Sequence, residues 1–250
     1  MLDKIAIVTG GSRGIGVAVA KELAKRGAKI LLTYNAGESS ARSVVREIEE
    51  AGGEAIMVQA EGTDRNAPSQ IVEVAVNRWG HIDIIVNNAG YGENALLQDL
   101  THESWDAMMD INVRFPVFLL KAALPHLGKA PRIVNISSVA ARSGPPMMTA
   151  YASSKAALEG ATRVFARELG QRYNLTANCV NPGPVATDMW LRDTAPELLA
   201  GWEKLQAGTP AGDRIATTDD IAQIVAFLAS ECSRWSTGSV VNANGGAVYS

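Results

Sequence analysis

Cysteine and histidine are scarce in this chain: its 250 residues hold 2 of the first and 3 of the second. Cys179 and Cys232 stand far apart with no CxxC or Cys–His spacing, which excludes a disulfide framework and a zinc site of ordinary pattern. Two plain buried thiols are expected, since a free cysteine is most often buried. Long apolar runs are also missing. None approaches the length of a membrane span, and "MLDKIAIVTGG" enters a strand at once, without the apolar core or cleavage site of a secretory leader. The expected location is cytoplasmic. There is no excess of positive charge: the net charge is -3 and the basic residues are scattered. Neither nucleic acid nor an anionic membrane is therefore an expected partner. Linkers, low-complexity tracts and internal repeats are lacking too, so one domain over residues 1–250 is expected.

What is there is an alternation of short apolar runs with longer amphipathic ones. "KIAIV", "KILLTY", "EAIMVQ", "IDIIVN", "RIVNIS", "LTANCVN" and "SVVNA" are short, rich in β-branched residues and bounded by turn formers, which predicts seven strands. Between them lie helical patterns such as 17–27 and 41–53, the latter closing on Gly52-Gly53 as a C-cap. Strands that are apolar throughout need cover on both faces, hence parallel pairing with helical crossovers. The fold class expected is α/β, a doubly wound Rossmann-type domain with a seven-stranded parallel sheet. The alternation loosens at about 184–217, where Met189, Trp190, Leu191 and Trp202 suit an apolar wall; a substrate lid is expected there, a helical pair packed on its own domain being the alternative.

Directly after the first strand comes "TGGSRGIG" (9–16). Gly10, Gly14 and Gly16 leave room for a sharp turn and for a pyrophosphate at the N-terminus of the next helix. Ser12, Arg13 and Ile15 are counted with them as cofactor contacts. The spacing is G-x-x-x-G-x-G, not the common G-x-G-x-x-G. The second strand ends in Thr33, Tyr34, Asn35, and no acid appears before Glu38. A carboxylate at that turn would hold both ribose hydroxyls and repel a 2′-phosphate. Its absence favours NADP(H) over NAD(H), with Arg13 either the phosphate's cation or a solvated loop residue.

"TAYASSKAALEG" (149–160) places Tyr151 and Lys155 four apart on one helical face. A core tyrosine beside a solvated lysine would give the same spacing, so the pair alone decides nothing. Six motifs in order decide more: "TGGSRGIG", "NNAG" (87–90), Asn112 in "DINV", Ser138 in "NISS", "YASSK" (151–155) and "NPGPVATDM" (181–189). With these the chain resembles the short-chain dehydrogenases/reductases over essentially its whole length, and within them the 3-oxoacyl-acyl-carrier-protein reductases.

The resemblance implies a catalytic set of Asn112, Ser138, Tyr151 and Lys155. Tyr151 would exchange a proton with the substrate oxygen, its pKa drawn down from near 10 by the Lys155 ammonium and the oxidised nicotinamide. Ser138 would hold the same oxygen; strand alternation separates it from Ser137, and the family's serine aligns with it. Asn112 would hold a water linking the lysine to solvent, and Lys155 would also bind the nicotinamide ribose. Asn87 would tie neighbouring strands. Asn88, Ala89 and Gly90 would floor the cofactor site, and Pro182, Gly183, Val185 and Thr187 would meet the nicotinamide. Glu61 and Gly62 stand where relatives often carry an Asp-Val pair at the adenine, and Asn244 replaces an acid common in the last strand.

The expected substrate is a small carbonyl compound with an apolar 3-oxoacyl, cyclic or secondary-metabolite body. Its pocket would be lined by Tyr91, Ser138, Pro145, Met147, Met148, Met189 and Trp190, with Pro146 alongside. Lys129 and Arg172 are candidate contacts for a carrier protein. No metal is expected. A homotetramer through helices at about 101–127 and 150–171 and the C-terminal strand is implied, with a dimer as fallback. Two other readings share these residues: an NAD-linked alcohol or sugar dehydrogenase, and a catalytically silent cofactor-binding relative.

Overall fold

A computed structural model describes residues 1–187 and 209–249. Seven parallel strands form one sheet of order β3-β2-β1-β4-β5-β6-β7. They are β1 Ile5–Val8, β2 Lys29–Tyr34, β3 Ala55–Gln59, β4 Ile82–Asn87, β5 Leu127–Ile136, β6 Thr176–Pro182 and β7 Val240–Ala243. The described helices are α1 Gly14–Lys25, α2 Glu38–Glu50, α3 Ala67–Trp79, α4 His102–Met109, α5 Phe115–Ala123, α6 Ala140–Ser143, α7 Thr149–Tyr173 and α8 Thr218–Leu228. The lid expected at 184–217, with Met189, Trp190, Leu191 and Trp202, lies for the most part outside the described residues.

The apolar runs become strands because both sheet faces are covered. All six residues of β4 are buried. Successive side chains point to opposite faces: Ala6 and Val8 join one core with α1, α2 and α8, while Ile7 joins a second with α3, α5 and α7. Parallel pairing brings every strand's carboxyl end to one edge, and the strand order reverses between β1 and β4, where a dinucleotide crevice forms in such sheets. Asn87 Nδ2 donates to Asn135 Oδ1 at 2.7 Å and so ties β4 to β5, as its place in "NNAG" predicts.

Three local features differ from expectation. β5 starts at Leu127 rather than Arg132, because pairing with β4 resumes beyond a bulge at 128–131, where Ala130 has φ +55°. The helical stretch after Thr101 is interrupted by a π-helical turn at Asp110–Arg114, a widening that inserts one residue into the helical ladder. Cys179 is buried as expected but Cys232 is exposed, carried on a 3-10 turn at Glu231–Ser233.

Candidate active site

The loop from β1 to α1 is shaped by clearances that only glycine leaves. A Cβ on Gly16 would lie 2.2 Å from the Gly10 carbonyl oxygen, and Gly10 and Gly14 have φ of +64° and +56°. Gly10 N–H donates to Thr33 Oγ1 at 3.1 Å, and the Asn88 amide donates to the carbonyls of Thr9 (2.9 Å) and Gly10 (3.1 Å). Thr9 Oγ1 in turn accepts from Asn88 N and Ala89 N. The loop is thus clamped between β2 and β4. The N-terminus of α1 has no side-chain cap and no acid in its first turn, so its outward N–H groups suit an anion. Arg13 is exposed at the N-cap position and forms no ion pair among the described residues. Glu38, the first acid after β2, is paired with Arg42 one turn along α2 and is not committed to the β2 turn. Ser12 Oγ lies 3.7 Å from where a Gly37 Cβ would stand. This cradle fits a dinucleotide.

Across the crevice, a Cβ on Gly14 would come 3.3 Å from Thr187 Cγ2, so the glycine loop and the "NPGPVAT" segment face each other. Val185 is held by a bridge to Ala216. Gly183 packs on Asn244, which donates to Val248 O and accepts from Gly246 N. Asn244 therefore closes the C-terminal turn, in keeping with a packing role. Glu61 accepts from Thr63 Oγ1 at 2.8 Å beside the end of β3.

At the ends of β4 and β5 the four predicted catalytic residues converge. Lys155 is 4% exposed, and its Nζ donates to the Ile136 carbonyl at 2.9 Å. Its other two N–H bonds have no protein partner among the described residues. A Cβ on Gly90 would come 3.3 Å from both this Nζ and Asn112 Oδ1. The Asn112 amide sits inside the π turn and makes three hydrogen bonds. It accepts from Tyr91 N at 2.9 Å and donates to Tyr91 O at 2.8 Å and Ser154 Oγ at 2.9 Å. Ser154 Oγ donates to Tyr151 O at 2.7 Å. The Asn112 side chain is therefore a clamp between the 90–92 segment and α7, with both amide hydrogens used and one lone pair of Oδ1 left.

Ser137 and Ser138 part as alternation requires. Ser137 turns inward to Glu159 at 2.9 Å. The Ser138 hydroxyl meets the Tyr151 hydroxyl and accepts from Ala140 N at 3.2 Å. The phenol pKa moves opposite to expectation: burial raises it above 10, and only the Ser138 bond opposes this. The Lys155 ammonium is not a cause of the shift; it sits 5.7 Å from the ring centroid and is spent on Ile136. Burial in turn lowers Lys155 to about 8. Without cofactor, then, the site holds a neutral phenol beside an ammonium near its titration point.

Sequence reasoning missed Gly92, whose Cβ would stand 3.1 Å from Tyr151 Cδ2, so its backbone lies on the phenol ring. A single glycine beside "NNAG" gives no sequence signal for that contact. Around it the pocket wall closes through Ala95, which bridges Met148 and donates its N–H to Met147 O at 2.9 Å. Met147 itself takes φ +66°, a left-handed conformation that a side chain rarely adopts and that this bridge holds in place. Tyr91 is 37% exposed on the same wall, its hydroxyl on Glu93. Pro145 follows α6 at the mouth, and Met189 and Trp190 fall outside the described residues. Lys129 and Arg172 stand elsewhere: Lys129 lies about 23 Å along β5 from Ile136 and Arg172 about 25 Å along α7 from Lys155, toward the opposite edge of the sheet. Within one chain they are remote from Tyr151.

A family model described as Enoyl-(Acyl carrier protein) reductase matches residues 10–248. The short-chain dehydrogenase/reductase FrzI of a Cladobotryum species is 61% identical over 250 residues, covering 99% of this chain and 97% of that one. The chain belongs to the short-chain dehydrogenase/reductase family. As such it is an NAD(P)-dependent oxidoreductase. Two solved structures share its fold over nearly the whole length. A blue fluorescent protein from a metagenomic library, in complex with NADPH, is 39% identical with a TM-score of 0.90, covering 99% of each chain. The angucycline C-6 ketoreductase LanV with bound NADP is 36% identical with a TM-score of 0.90, covering 98% of this chain and 95% of that one.

In this short-chain dehydrogenase/reductase the buried lysine has a measurable cost. Its pKa is lowered on folding, from 10.5 to about 8. Between those values the unfolded chain binds more protons, so stability rises with pH across that window, and the full penalty of about 3 kcal/mol applies below pH 8. Losing the bond to Ile136 would cost only about 1 kcal/mol. Lys155→Met is therefore expected to melt higher than the parent at neutral pH, with the gap narrowing toward pH 10, while turnover is lost. A melting temperature lowered at every pH would contradict the burial argument.

Proposed function

We propose that the protein reduces a ketone to a secondary alcohol with NADPH, Tyr151 giving the proton to the carbonyl oxygen. The observation that carries this reading is the phenol itself: buried, kept neutral at physiological pH, close to the Ser138 hydroxyl and four residues from a buried ammonium. A neutral phenol is the form required of a general acid. Ser138 would donate to the same carbonyl oxygen and stabilise charge developing there. Lys155 would bind the nicotinamide ribose with its two remaining N–H bonds and, as an ammonium, favour departure of the Tyr151 proton as charge develops. Asn112 holds the 90–92 segment against Tyr151, and would seat the water that resupplies the proton. The reduced nicotinamide supplies the hydride.

The α1 loop, with Gly10, Ser12, Arg13, Gly14, Ile15 and Gly16, would hold the phosphates. Tyr34, Asn35 and Glu61 would border the adenosine, and Asn88, Ala89 and Gly90 the floor. Pro182, Gly183, Val185 and Thr187 would orient the carboxamide. NADPH is favoured over NADH because no carboxylate is committed to the β2 turn, Glu38 being paired with Arg42, while Arg13, exposed in the glycine loop, would supply the cation for a 2′-phosphate. The NADPH- and NADP-bound relatives support this. The substrate body is apolar, as the wall of Met147, Met148, Pro145 and Tyr91 favours, and the ketoreductase relative supports a cyclic carbonyl. An alcohol or sugar dehydrogenase using NAD(H) would carry the same four residues, and cofactor choice separates the two readings.

The same reading extends to a homotetramer. Phe118 on α5 and Val164 on α7 are 45% and 48% exposed, beside the small residues Ala156 and Gly160, and Trp235 ahead of β7 is 98% exposed. Such surfaces suit burial against further copies.

Three measurements test these claims. Fluorescence titration is expected to give tighter binding of NADPH than NADH, and Arg13→Ala to weaken NADPH roughly tenfold while leaving NADH unchanged; equal affinities would favour the dehydrogenase reading. Tyr151→Phe is expected to lower kcat at least ~100-fold with cofactor affinity kept, and near-native turnover would sink the mechanism. Gel filtration is expected to elute the protein near four times its 26.4 kDa subunit mass, a single-subunit mass being the contrary result.

A further inference from the structure

α7 presents a third ionisable residue in line with Tyr151 and Lys155. Glu159, one more turn along, is 2% exposed. Both of its oxygens are in use. Oε1 accepts from Ser137 Oγ at 2.9 Å, and Oε2 pairs with Arg142 Nη2 at 2.6 Å. Those two partners bracket Ser138 in the chain: Ser137 immediately precedes it, and Arg142 lies in α6, the four-residue helix that follows. Lys155 and Arg163 flank Glu159 on the same helix, but Lys155 donates to Ile136, and Arg142 is the cation at ion-pair distance among the described residues. A buried carboxylate is tolerated only when it is paired and hydrogen-bonded. The segment 137–142 is therefore bound to remain where α7 places this group.

We propose that Glu159 is a positioning residue, whose carboxylate grips the segment 137–142 at both ends and so fixes the Ser138 hydroxyl against Tyr151. This rests on the reading of Ser138 and Tyr151 as the groups that meet the substrate oxygen. Removing the grip leaves each catalytic side chain present but lets Ser138 drift from its partner. The segment also meets β6, Ser137 N–H on Val180 O and Val139 N–H on Pro182 O, but the phosphate-binding part of the cofactor cradle, built on α1, β2 and β4, does not share the grip. The Arg142 side chain keeps 35% of its surface in solvent, so it can be replaced without opening the core.

The test is a double-mutant cycle with tetralone as the ketone and NADPH as the reductant. Glu159→Gln is expected to lower kcat roughly tenfold in the parent and less than about threefold in a Ser138→Ala background, since the two act through one another. NADPH affinity should be unchanged within about twofold on the same grounds. Arg142→Met should reproduce the loss and Arg142→Lys restore most of it, which covers the case in which Glu159→Gln does not fold. A near-parental kcat, an equal penalty in both backgrounds, or a parallel loss of NADPH binding would overturn the proposal. Hydrogen exchange of the amides of 138–142 gives a second arm that needs no turnover: faster exchange confined to that segment in the Arg142→Met protein is expected, and unchanged exchange would refute the grip. If the parent turns over no ketone, the reduction reading fails, while the exchange comparison still decides the role of Glu159.

Discussion

The Lys155 ammonium, held against the Ile136 carbonyl with almost no contact with water, is the constraint around which the carboxyl edge of the sheet is organised. A charge there needs a carbonyl that the strand ladder leaves free, and β5 supplies it by ending at Ile136. It needs a long helix to carry the lysine inward, and α7 supplies 25 residues. It needs empty space on its other side, and Gly90 provides that where any side chain would crowd Nζ and Asn112 Oδ1. The same clearance lets the 90–92 backbone run between Asn112 and the Tyr151 ring. Replacing the lysine with an apolar residue would relax these demands, so their joint presence is an argument for chemistry over packing. The bulk of the fold holds this edge rigid: two apolar cores, one on each face of the sheet, leave the strand ends little freedom to move.

Much of this was legible in the sequence, for physical reasons. A strand buried on both faces must be apolar at every position, so "IDIIVN" and "KILLTY" announced themselves as interior strands of a parallel sheet. Tyr151 and Lys155 were legible because the α-helical repeat puts residues four apart on one face, and Ser138 was separable from Ser137 because strand alternation sends neighbours to opposite sides. The unread parts are those set by contacts distant in sequence. Gly92 lies on a ring 59 positions later. The π turn at Asn112 is a one-residue change in helical pitch that residue identities do not encode locally. Glu159 did carry a weak signal, a charge continuing the buried Tyr151–Lys155 stripe, but its partner Arg142 comes from a different element. The exposure of Cys232 was readable from its neighbours Ser230, Glu231, Ser233 and Arg234, which are polar or charged and carry it on a 3-10 turn at the surface. Lys129 and Arg172 had no position until the direction of β5 and α7 was known.

The direction of the pKa shifts sets the protonation state from which the reaction starts. A phenol raised by burial resists ionisation, the Ser138 hydroxyl alone opposing the shift. The Tyr151 phenolate belongs to either direction of the reaction, as what proton donation leaves or as the base that takes a proton from an alcohol. Giving a proton to a carbonyl starts from the form already present. As negative charge gathers on the substrate oxygen, the Tyr151 proton moves toward it, and the charge passed back to the phenol then lies within reach of Lys155. The lysine titrates at about 8, so its charge is available in neutral solution and fades as the medium becomes alkaline. In the proposed reduction the cluster thus starts from a protonated phenol and a charged lysine at neutral pH. Burial, which holds Tyr151 protonated and brings Lys155 close to its titration point, accounts for both halves of that behaviour.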